Sequence, residues 1–153
     1  MEFKSDAQKN VYEKVKGLMT ELHGESTTVV EDKPIFWVQN GSASVQVAIF
    51  PWGDDDATVC VRSWVVTGAD VNADLGKYLL RENADMRFGA FGVDQDGDIT
   101  FEHAIVGSTV DKNELRASIR AVAVTADKYD DEIVSKYGGE RSLDRMNRSR
   151  SDR

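Results

Sequence analysis

Ile35 to Phe50 reads as two alternating apolar–polar runs folded about Asn40-Gly41, and no other stretch limits the fold so tightly. Asn-Gly supplies the two positive-φ residues of a type I′ turn, so the chain is predicted to double back there through a two-residue loop. With Asn40 and Gly41 as the loop, Gln39 faces Ser42, Val38 faces Ala43, Trp37 faces Ser44 and Phe36 faces Val45. One sheet face then carries Phe36, Val38, Ala43, Val45, Val47 and Ile49, which is a core face. The other carries Ile35, Trp37, Gln39, Ser42, Ser44, Gln46, Ala48 and Phe50. Side chains alternate with a period of two, so a slip of one residue would exchange the faces, and the pattern itself favours this pairing.

The flanking sequence supplies the other elements. Ala7, Val11, Val15, Leu18 and Leu22 form one stripe of an amphipathic helix, with Ser5 or Asp6 as its N-cap and Gly24 as its stop. Thr27–Val30 is β-branched and extended, and Asp32-Lys33-Pro34 breaks it from the hairpin. Thr58–Val66 is a strand with Val59, Val61 and Val65 inward and Cys60, Arg62 and Trp64 outward. A short helix with Leu75, Tyr78 and Leu79 follows, capped by Asp70 or Asn72. Met86–Val93 and Asp98–Val106 are paired strands about the turn Asp94-Gln95-Asp96-Gly97. Asp111 with Glu114 opens a last helix whose stripe runs Leu115, Ile119, Val122, Ala126, Tyr129, Ile133, Tyr137, and Gly138-Gly139 ends it. The order is helix, three strands or so, helix, two strands, helix. The expected fold class is α+β, a mainly antiparallel sheet of about five strands with helices packed on it.

At 153 residues this is one domain's worth. Residues 1–139 are expected to form that domain, and the Arg/Ser-rich stretch 140–153 to stay disordered for want of apolar surface. The tail carries five arginines against three acids, a charge of +2; with −8 for the whole chain, the remainder is −10. An acidic body repels phosphate backbones, which argues against nucleic acid as a partner. No apolar run approaches the about 18 residues of a membrane helix, and the polar start predicts no leader. The single cysteine, Cys60, permits no internal disulfide and suits the cytoplasm.

With these residues in place the chain resembles the YbjN family of bacterial proteins, whose fold is shared with type III secretion chaperones. The resemblance spans nearly all of residues 5–139. It rests on Gly41-Ser42-Ala43, on Phe50-Pro51-Trp52-Gly53, on Phe88-Gly89-Ala90-Phe91-Gly92 with its Asp-Gly turn, and on Thr125-Ala126-Asp127 through Tyr129-Asp130-Asp131-Glu132. It implies an α+β, sandwich-like domain, often dimeric, related to proteins that bind extended polypeptides. It carries no catalytic motif over, and the tail lies outside the shared pattern.

The residues that could carry chemistry have plainer readings. Asp94-Gln95-Asp96-Gly97-Asp98 suggests a calcium loop, but its glycine sits at position four rather than six and strands flank it, so a hairpin turn fits better. Asp54-Asp55-Asp56 reads as a solvated loop, and Asp127, Asp130, Asp131 and Glu132 as a solvated helix face. His103 is expected half-buried on its strand, and His23 to complement the negative end of the first helix. No enzyme activity, metal or cofactor is expected.

What remains is the outer sheet face, where Trp37, Phe50 and Trp64 lie beside Arg62. Large aromatics with an arginine have the composition of a protein interface. The alternative is that the first or last helix covers this face. The expected function is a non-enzymatic, chaperone-like domain, a homodimer that binds a protein or peptide segment on this face or on a free strand edge. The alternative function is a regulatory or scaffolding dimer without a client.

Overall fold

Ser5 accepts a hydrogen bond from the Gln8 amide at 3.1 Å and starts α1 (Asp6–His23). The computed structural model describes residues 1–151. The buried side of α1 is Val11, Tyr12, Val15 and Met19, so the predicted stripe is rotated slightly and Leu18 and Leu22 lie at its margin. The strands β1 (Thr27–Val29), β2 (Ile35–Asn40), β3 (Ala43–Trp52) and β4 (Asp56–Thr67) follow, each antiparallel to the last. Helix α2 (Ala73–Asp85) is capped by Asn72, which accepts from the Leu75 amide at 3.0 Å. Next come β5 (Ala90–Val93), β6 (Ile99–Val106) and α3 (Lys112–Tyr137), capped by Asp111 as predicted.

The hairpin forms one position later than expected. Asn40 pairs with Ala43 and Val38 with Val45, leaving Gly41 and Ser42 as the loop. Gly41 takes φ 61°, while among the described residues none other than glycine has positive φ. A loop needing positive φ only at its first position suits Gly-Ser better than Asn-Gly. The pairing is thereby shifted by two residues, which preserves both faces. Phe36, Val45, Val47, Val59, Val61, Ile99 and Phe101 are all fully buried on the inner side.

The sheet order is β1-β2-β3-β4-β6-β5. Apolar residues of α1, α2 and α3 share one core with the inner face of the sheet. The sheet has seven strands rather than about five, and the seventh comes from the segment expected to be disordered. There β7 (Glu140–Arg141) pairs with Val66 and Thr67 at the end of β4, and α4 (Ser142–Ser151) follows. Gly139 makes this possible: it has φ 80°, and a Cβ there would meet the Thr67 carbonyl at 2.6 Å and the Ala69 amide at 2.7 Å. Residues 140–151 fold because they lie on a surface already formed, which composition alone does not reveal; the last two residues of the expected tail lie outside the described residues.

Candidate functional site

Cross-strand pairing sets the outer face in rows. Thr28, Trp37, Gln46, Arg62, Glu102 and Ala90 stand side by side across all six long-range strands. Arg62 forms an ion pair with Glu102, its pairing partner on β6. Trp64, one turn of the pleat onward, stacks on Trp37 with ring centroids 5.7 Å apart and lies under the Arg62 guanidinium at 5.6 Å. Its indole N–H donates to Asp94 Oδ2 at 2.9 Å. Trp64 is thus held from three sides, the geometry of a rigid aromatic anchor rather than a mobile surface group.

Three of the four expected contact residues, Trp37, Arg62 and Trp64, therefore form one cluster. Phe50 is on the same face but stands four positions along β3 from Gln46, about 13 Å away. It is 48% exposed and pairs with Thr58. Helix α3 borders the cluster at Trp64, where Ala126, Asp127 and Asp130 line a narrow cleft with it. Helix α4 reaches both indoles: Trp37, Trp64, Met146, Arg145 and Arg150 line a cavity of about 440 Å³ between sheet and helix. A smaller recess of about 270 Å³ continues past Trp37 to Thr28 on β1.

The two sheet edges differ. At the β5 edge, Asn83 of α2 donates to the Phe91 carbonyl at 3.1 Å and accepts from the Phe91 amide at 2.7 Å, closing the centre of the strand. At the β1 edge, Val30 donates to Ile35 at 3.0 Å. By the alternation of an antiparallel ladder, Thr28 then faces β2, and the N–H and C=O of Val29 face outward. Among the described residues nothing bonds to them, and Val29 is 41% exposed.

The other candidates are occupied locally. Burial tends to raise the Asp94 carboxyl, but hydrogen bonds from the Trp64 indole and the Asp98 and Asp96 amides hold it below its ordinary value. That carboxylate is committed to its turn. Asp56 is lowered chiefly by the Ser108 hydroxyl at 2.6 Å. Asp130, on the expected solvated face, is instead buried, and burial raises its carboxyl. Burial lowers His23, which disfavours the imidazolium that a helix-end role needs. His103 is half-buried, edge-on to Phe88 at 5.2 Å. Burial also raises the Cys60 thiol. Among the described residues no group of three or more His, Cys, Asp or Glu is placed to hold a metal ion.

Sequence reasoning passed over Asn83, Val29 and the α4 residues. The Leu143 and Met146 spacing was the one available signal for α4.

Residues 9–145 match the family model described as T3SS (YopN, CesT) and YbjN peptide-binding chaperone 1, TY-Chap1. No curated protein sequence matches the chain. Among solved structures, a chain of the ExsC–ExsE complex superposes with a TM-score of 0.62 at 13% identity, covering 78% of this chain and 92% of its own. A chain of the HopA1–SchA chaperone–effector complex gives 0.61 at 9% identity, covering 80% and 96%. The Yersinia pestis type III secretion chaperone SycH, solved with a fragment of YscM2, gives 0.52 at 16% identity, covering 77% and 98%. At such identities the likeness is one of fold.

Proposed function

The chain belongs to the TY-Chap1 family of T3SS and YbjN peptide-binding chaperones, and from that membership we propose that it takes up an extended partner segment as an added strand beside β1. Its work is to bind polypeptide rather than to catalyse. The observation that carries the β1 assignment is the contrast between the edges: Asn83 occupies the Phe91 backbone on β5, while the Val29 amide and carbonyl are open. Unpaired edge groups are a template for another strand, and each main-chain bond formed there contributes about 0.5–1.5 kcal/mol net. Side chains of the added segment meet the outer face, where Trp37, Arg62 and Trp64 form the nearer contact group and Phe50 the farther one.

Val29→Pro tests this. Proline removes the outward N–H without removing a bond to β2, and an edge position tolerates it. Against a panel of extended decapeptides of alternating apolar and polar residues, the variant is expected to bind at least about tenfold more weakly, the loss of one or two main-chain bonds. Equal binding by a variant that melts like the parent would exclude β1 as the site.

A cytoplasmic homodimer completes the reading. Leu80 on α2, 71% exposed, and Phe88 beyond it, 44% exposed, are apolar side chains that a second copy would cover. The cytoplasm suits a lone cysteine whose thiol burial keeps protonated. Sedimentation equilibrium should give twice the 17.0 kDa chain mass; a single chain mass at all concentrations would remove the dimer.

A further inference from the structure

The geometry points to the space between α4 and the outer sheet face as a second contact site for the same client, one that takes an apolar anchor residue flanked by carboxylates. This rests on the peptide-binding reading above and adds to it a preference of charge.

The site has an aromatic floor and a basic rim. Trp37 and Trp64 form the floor, and Met146, Arg145 and Arg150 of α4 form the roof and one wall. Both arginines are exposed, and among the described residues neither guanidinium has a hydrogen bond or an ion pair; the Arg145 carbonyl accepts from the Ser149 hydroxyl at 3.1 Å within the helix. By contrast Arg141 of β7 is paired with Asp144 at 2.8 Å and with Asp131 at 3.7 Å. The one carboxylate on the lining, Asp98, accepts from the Gly68 amide at 3.3 Å. Two guanidinium groups thus remain over one engaged acid, in a molecule whose net charge is −8. Guanidinium forks are matched to carboxylates.

A second observation marks the cavity as a place where polar groups are unsatisfied. Thr67 and Ser142 both line it, are 5% and 1% exposed, and have hydroxyl oxygens without a hydrogen-bond partner. Buried hydroxyls normally have partners. Both sit where β7 meets β4, under the start of α4, so a small outward shift of that helix exposes them to a ligand's peptide groups. The cavity is also continuous with the open edge, since Trp37, Met146 and Arg150 line both it and the recess that reaches Thr28. A strand lying along β1 can therefore send a neighbouring residue between the indoles while acidic neighbours meet the arginines.

Overall electrostatics runs against this preference. A protein of net charge −8 attracts basic peptides and repels acidic ones in the absence of local structure. Three fluorescein-labelled dodecapeptides serve as probes, each with one central Phe and flanks of Glu, Lys or Ser, read by anisotropy with the full chain. The Glu peptide is expected to bind roughly tenfold tighter than the Lys peptide, as two exposed ion pairs allow. The double variant R145Q/R150Q, whose two side chains are in solvent, should melt with the parent and lose that preference. The proposal is overturned if the Lys peptide binds the parent as tightly as the Glu peptide, or if R145Q/R150Q keeps the preference. If the Glu, Lys and Ser peptides bind the parent equally and all lose binding in Val29→Pro, strand addition at β1 stands and the α4 site falls. If none of the three binds, both fall.

Discussion

Phe36→Ala is expected to lower the free energy of unfolding by about 3–5 kcal/mol, the range for deleting a fully buried aromatic side chain. Phe36 is 0% exposed. It stacks on Tyr12 of α1 with ring centroids 5.1 Å apart, and Tyr12 in turn meets Phe3 at 5.3 Å. The ring is therefore the joint between the first helix and the sheet, with Val29 and Val47 as its cross-strand neighbours. Regular strands on both sides leave little room for collapse into the space. Urea denaturation with an unchanged slope measures the loss. A loss under about 1 kcal/mol would mean that α1 is not anchored through this ring.

Trp64→Ala is expected to reduce peptide capture by about 2 kcal/mol or more, roughly thirtyfold, as removal of a buried aromatic anchor does. The substitution removes the stack on Trp37, the Arg62 contact and the bond to Asp94 together. Lowering the pH acts on one of these alone. The folded-state pKa of Asp94 is depressed, so its contribution to stability is present above the unfolded value near 3.8 and is lost as pH falls through the folded value. Capture by the parent should therefore be insensitive to pH between about 5 and 8 as far as this pair is concerned. Isothermal titration with the alternating decapeptides measures both effects; a Trp64→Ala protein with unchanged affinity would remove the cluster from the binding surface.

The architecture was legible because its signals are periodic. The alternation from Ile35 to Phe50 placed the strand side chains on the correct faces although the loop sits one position later and takes Ser42 instead of Asn40, since a two-residue shift of register changes no face. The caps at Asn72 and Asp111 and the stop at Gly138 were readable for the same local reason. Three features were not legible, and each depends on tertiary placement. Helix α4 has two apolar residues facing the body, Leu143 and Met146, and folds against a surface that only the rest of the chain creates. The strand expected from Met86 begins at Ala90, because Gly89 turns the chain with φ 73° and a Cβ there would lie 2.5 Å from the Glu102 carbonyl. Asn83 closes the β5 edge only because α2 lies beside that strand. For the candidate contact residues, alternation gave the face but not the spacing along it, and so grouped Phe50 with a cluster that lies about 13 Å away.

Hydrogen–deuterium exchange of the full chain, with and without a bound alternating decapeptide, addresses strand addition at its source. The amide of Val29 should become strongly protected on binding, with Ala90–Val93 unchanged. Protection that appears along β5, or binding that leaves Val29 exchanging as in the free protein, would contradict the account.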